Sequence, residues 1–236
     1  MARDYMREFK PVTNELAGRA QDASIASESQ RKLNALLGKW SKRFNEASGR
    51  LVDRLLNQVD LFSKKSVENS IKELSGGITI KTPKMPAGML EKMQAASYAN
   101  VGLIKTIPQE LHNQIQGAVM RSVQEGGQGA KGIMDEIQRI QGKEFKRAKL
   151  IAVDQTRKAT TAFNTERMKS AGITQFYWGH SGGSAEPREI HVRLGREREI
   201  HSIDDPPVID KDGTRGLPGT LLHCKCYMIP VISFDD

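Results

Sequence analysis

Cysteine is nearly absent from these 236 residues: Cys224 and Cys226 are the whole complement, one residue apart, so no disulfide framework staples distant parts of the chain. Aromatics are scarce at 6%, and the mean hydropathy is −0.51. That composition suits long, solvent-washed helices burying one stripe better than a compact α/β enzyme. No apolar run approaches the roughly 18 residues that cross a bilayer, and Met1-Ala2-Arg3-Asp4-Tyr5 lacks a signal peptide's hydrophobic region. The expectation is a cytoplasmic protein, or one in an assembly built there, with no membrane partner. There is no P-loop, dinucleotide fingerprint or nucleophile elbow, and no helix carries two histidines around a glutamate. A non-enzymatic role is expected. The length still allows a real core, in one medium domain or two small ones.

The 36 Lys plus Arg outweigh 28 Asp plus Glu, for a net charge of +8, which favours a polyanionic neighbour. One basic stretch holds Arg31, Lys32, Lys39, Lys42, Arg43, Arg50 and Arg54; another holds Lys143, Lys146, Arg147, Lys149, Arg157 and Lys158. Lys42, Arg43, Arg50, Lys146, Arg147 and Lys149 are the candidate nucleic-acid contacts. A solvated helix face explains the same runs.

Apolar residues recur in steps of three or four at Leu33, Leu37, Trp40, Phe44, Ala47, Leu51, Leu55, Val59 and Phe62, which predicts one striped helix. Unbroken to Leu74 it would run about 65 Å, and such a helix needs a partner surface. Gly38 and Gly49 each weaken it by roughly 1 kcal/mol, so two helices are the alternative. Ser75-Gly76-Gly77 ends it. A β-like stretch, Ile78 to Thr82, leads with Pro83 and Pro86 into an arm. A short helix is expected around Met89 to Ala96, another from Pro108 at a first helical position to Val123, a third around Ile133 to Ile140, and a fourth from Glu144 to Ser170 capped by Gly172. The predicted divisions are therefore residues 1–77, 78–102 and 103–236.

After Ile173 the pattern turns β-prone. Ile173 to Trp178, then Ile190, Val192 and Leu194 alternating with polar residues, predict an antiparallel hairpin anchored by Trp178, and a final strand is expected from Leu221 to Ile232. The fold class is thus α+β: an extended helical N-terminal region followed by a compact module of helices and a small antiparallel sheet. On a strand Cys224 and Cys226 would face the same way and supply half a structural zinc site, completed by His191 on the hairpin with His180 or His201, or an aspartate. Two small buried thiols are the simpler reading; a Cys224 nucleophile is a third, with no evident group to orient its base. Asp154, Arg157, Thr161 and Asn164 share a helix face and could tie that helix to the β-region. A metal-dependent nuclease using His180, His191, His201 and Asp204 or Asp205 is the enzymatic rival, and a plain DNA-binding protein a second.

The order of these pieces resembles the phage Mu F-like minor head protein family, the phage head morphogenesis proteins, over about Leu103 to Val231. The matching residues are Leu103-Ile104 with Ile107-Pro108, the helix segment Ala148 to Thr156 with Asp154-Gln155-Thr156, then Asn164, Arg167, Ala171-Gly172-Ile173, Phe176 and Trp178. The ending is the most specific: Arg188, His191, Pro218-Gly219, Cys224-Lys225-Cys226 and Pro230-Val231. The chain departs from the family where Ser184-Ala185-Glu186-Pro187-Arg188 replaces Asp-x-Arg-x-Arg, and where Leu194-Gly195 lacks a following aspartate. The resemblance implies a low-copy head protein inside the virion, bound to the portal during procapsid assembly. It further implies major capsid or scaffolding protein as neighbours and, in some relatives, association with phage DNA and its ejection.

Overall fold

The computed structural model describes Asp4, Arg7, Glu8, Pro11 and residues 24–124, 129–183 and 186–232. Among the described residues the order is α1 (Ser24–Leu74), α2 (Met89–Gln124), α3 (Gly129–Ser170), β1 (Gln175–Gly179), α4 (Glu189–Glu197), β2 (Ile200–Ser202) and β3 (Tyr227–Pro230). The class is α+β, with helices followed by a small antiparallel sheet in the order β2-β1-β3.

The helices are fewer and longer than periodicity predicts. α1 passes through Gly38 and Gly49 without a break. Its end follows the sequence: Ser75 N–H and Gly77 N–H donate back to the carbonyls of Ile71 and Lys72, with Gly76 and Gly77 at positive φ. α2 is one helix, and Pro108 lies inside it rather than at its start. Proline's fixed φ is already helical, so what is lost is local, one hydrogen bond and some crowding. The two helices expected over Ile133 to Ser170 are likewise one, and the break at Gly126-Gly127-Gln128 lies outside the described residues. The stretch Ile78 to Thr82 forms no strand.

The chain divides into two compact units that do not follow its linear order: 1–52 with 99–151, and 53–98 with 152–236. The long N-terminal helix is therefore not a separate region. In the first unit Trp40 and Phe44 are buried edge to face, ring centroids 6.2 Å apart. Buried Glu144 accepts from Gln114 Nε2 at 2.8 Å and pairs with Arg147 at 3.2 Å, joining α2 to α3. In the second unit Val67 and Ile71 of α1 join Met168, Ile173, Phe176, Trp178, Leu194, Ile203, Ile209, Cys224 and Cys226 in one core. The residues between α1 and α2 are clamped there: Thr82 donates through its N–H and hydroxyl to Glu68 Oε1, at 2.8 and 3.1 Å.

Two β-region expectations are corrected. Residues 189–197 form a helix, not a hairpin strand, because Ile190, His191 and Leu194 fall on one helical face toward the core while the apparent alternation with Val192 is accidental. β1 instead pairs with β2 (Phe176↔His201) and β3 (Trp178↔Met228). The last strand is confined to Tyr227–Pro230, so both cysteines precede it.

Two histidines with buried ring nitrogens make stability acid-sensitive. His112 Nδ1 and His201 Nε2 are buried and have no hydrogen-bond partner among the described residues. Desolvation holds both rings below the ordinary imidazole value, for His201 against a smaller opposing pull from Glu199 and Glu197. The unfolded chain therefore binds protons that the folded chain refuses. Stability is full above pH of about 6.5 and falls as pH drops from there toward the folded values. Urea midpoints should fall between pH 7.5 and 5.5, less steeply in His201→Gln and His112→Gln; an unchanged slope in both variants refutes this.

Candidate metal centre

His191, Cys224 and Cys226 converge although 33 residues separate the histidine from the first cysteine. α4 presents His191 inward, 3% exposed. The cysteines reach it through a turn in which Cys224 N–H donates to Leu221 O at 3.0 Å and His223 takes a left-handed φ of 62°. The two sulfurs thus face the same way for a reason unlike the expected strand pleat.

The three ligand atoms all lie within 4.8 Å of one another. His191 Nδ1 stands 3.5 Å from Cys224 Sγ and 3.7 Å from Cys226 Sγ. Tetrahedral zinc, with Zn–N near 2.0 to 2.1 Å and Zn–S near 2.3 Å, separates such donors by about 3.6 Å, so the spacing fits. The surroundings fit too. His191 Nε2 is 3.1 Å from the Ile209 carbonyl, and donation there leaves the Nδ1 lone pair directed at the sulfurs. Gly219 N–H donates to Cys224 Sγ at 3.3 Å. The Trp178 ring lies 5.0 Å from His191, and its buried N–H has no full hydrogen bond, yet it favours the Cys226 thiolate.

The electrostatics are those of two thiols sharing one charge. The Cys226 thiol hydrogen-bonds to Cys224 and holds it down to about 4 against desolvation, with His191 and Gly219 assisting. The resulting Cys224 thiolate and burial push Cys226 up. One proton leaves readily and the second does not, unless a cation arrives to hold both sulfurs ionised.

α3 anchors this corner. Asp154, 4% exposed, accepts from the His223 N–H at 3.3 Å and pairs with Lys158 at 2.8 Å. Thr161 donates to Pro218 O at 2.8 Å. Among the described residues Asn164 Oδ1 is buried with no partner, and Gln155 and Thr156 bond to α3 itself. Gly219 has φ +85°, and a Cβ there would stand 2.7 Å from Thr161 Oγ1. Gly219→Ala should therefore cost about 1 to 3 kcal/mol and displace the N–H that holds Cys224; a loss under about 0.5 kcal/mol in urea melts counts against that role.

The other candidates separate. His180 lines the same cavity as the cluster but falls outside the 4.8 Å group. His201 packs on Phe176 with centroids 5.7 Å apart, Asp204 pairs with Lys169, and Asp205 pairs with Arg215 at 2.8 Å; among the described residues none of these joins His191 in a group of metal-ligating atoms. Of the basic candidates, all six lie in the first unit. Arg147 pairs with buried Glu144; Arg43 pairs with Glu8 at 3.3 Å and covers the Trp40 ring at 4.9 Å. Lys42, Arg50, Lys146 and Lys149 are exposed. Sequence reasoning missed the Ile209 carbonyl, which carries no side-chain signal, and the helical setting of His191, which the spacing Ile190, His191, Leu194 after Pro187 could have revealed. No described helix is long and apolar enough to cross a membrane.

No family model matches the chain, and no solved structure does. It is 27% identical over 210 residues to an uncharacterized protein of Haemophilus influenzae strain Rd, an alignment covering 88% of this chain and 45% of that protein. The chain spans about half the length of that curated relative.

Proposed function

We propose that the chain is a minor head protein of the phage Mu F-like kind, held on the portal during procapsid assembly beside major capsid or scaffolding protein, and later packed against phage DNA in the virion. One observation carries this reading. Of the residues on which the resemblance rests, Leu103 to Pro108 and Ala148 to Ile151 lie in the first unit, but Asp154, Arg167, Trp178, Arg188, His191, Cys224 and Cys226, far apart in sequence, belong to the second, and most of these interlock around one corner of it. Within that unit His191, Cys224 and Cys226 hold a zinc ion that ties α4 to the turn before β3 across a thin core.

Quantitative mass spectrometry of procapsids and virions carrying this chain tests the assembly role. The expected result is a fixed low copy number relative to portal and major capsid protein, retained through purification. Absence from both particles overturns the reading. Deleting residues 1–75 is a poor test, because Val67 and Ile71 belong to the core around the metal centre. Metal analysis of the purified chain should find one zinc per molecule.

A further inference from the structure

We infer that the zinc centre is open, with three protein ligands, and that its fourth position takes an anionic oxygen donor entering from the adjoining cavity. This rests on zinc occupying the cluster. Among the described residues, no fourth histidine, cysteine or carboxylate ligand atom lies within 4.8 Å of the other three. The cluster is not sealed on its far side: His191, Cys224 and Cys226 themselves line a cavity of about 460 Å³. A purely structural zinc site ordinarily has four protein ligands, whereas three ligands beside an accessible cavity leave a position for water or an outside group.

The charge of the cavity selects the class of that group. Two thiolates and a neutral imidazole cancel the charge of the dication. Arg188 and Lys225 line the same cavity against the single carboxylate of Glu186, with His180 and His223 adding donors. Among the described residues neither cation is held by a carboxylate: Arg188 donates to the Leu222 carbonyl at 3.2 Å and Lys225 to that of Gly183. Both keep unused donors for an anion. Charge-assisted bonds from Arg188 would orient a carboxylate or phosphate oxygen toward the metal.

Cobalt substitution of the full chain tests this. Co²⁺ should bind with a thiolate charge-transfer band, and its d–d bands should shift on titration with acetate or inorganic phosphate; the tighter of the two identifies the preferred anion. Arg188→Ala should weaken that titration about tenfold while leaving the anion-free spectrum unchanged. His180→Ala should leave the anion-free spectrum unchanged. A thiolate band whose d–d spectrum ignores both anions, or one that His180→Ala alters, overturns the open site but leaves the zinc reading standing. Absence of any thiolate band overturns both.

Discussion

Cys224→Ser in the zinc-loaded chain should lower stability by on the order of 4 kcal/mol or more, and Cys226→Ser by a similar amount. The reason is linkage: a metal that binds only the folded arrangement adds its binding free energy to folding, and removing one thiolate forfeits most of it. Small buried thiols with no metal would give a much smaller loss, roughly 1 kcal/mol, since serine is nearly isosteric and what changes is one polar atom in the core. Chelation separates the cases. With a strong chelator present, wild type should fall to the level of the serine variants, because all then lack the ion. If the difference between wild type and Cys224→Ser is the same with and without chelator, the cysteines are packing residues and zinc plays no part. The double variant should lose little more than either single one, as expected for residues that act as a unit.

Arg167→Met should cost about 3 to 5 kcal/mol. Arg167 is fully buried on α3, yet its guanidinium reaches three groups: it pairs with Asp60 on α1, and donates to Thr82 Oγ1 at 3.2 Å and Pro83 O at 2.8 Å in the segment after α1. Removing it leaves a carboxylate and a carbonyl without the partner around which they were arranged. Asp60 keeps 21% of its side chain exposed, so it can recover some water, and Asp60→Asn should cost less than Arg167→Met. Arg167→Lys should not rescue, because a single ammonium cannot reach in two directions as the planar fork does. Urea unfolding followed at Trp178 is the readout; a loss below about 1 kcal/mol for Arg167→Met would show the network to be dispensable. The same substitution should loosen the Pro83 segment, which accelerated proteolysis would detect.

Much of the helical block is legible in the sequence. The three-and-four spacing from Leu37 to Val59 specifies α1, Ser75-Gly76-Gly77 stops it, and Gly172 ends α3 with φ 76° and the Ile173 N–H returning to the Met168 carbonyl at 2.9 Å. These are local signals, each decided within a few residues by periodicity or by a glycine free to take positive φ. Pro108 misleads for the same reason. Local rules mark it as a boundary, but its fixed φ suits a helix, and flanking turns carry the chain through one missing bond.

The candidate metal centre is only half legible. The spacing of Cys224 and Cys226 announces paired sulfurs, and the sequence offers His191 with His180, His201 or an aspartate to complete them, but it does not say what brings them together. That depends on α4 turning His191 inward, on the left-handed His223, and on Asp154 holding that turn from 69 residues away. The composition of this chain determined that it would be helical, basic and free of disulfides, because those properties follow from residue counts and short-range periodicity. Tertiary structure alone decided that Val67 and Ile71 of the first long helix share a core with both cysteines. It also set a nitrogen 3.5 and 3.7 Å from two sulfurs, because distances between residues remote in sequence are fixed by packing and not by spacing along the chain.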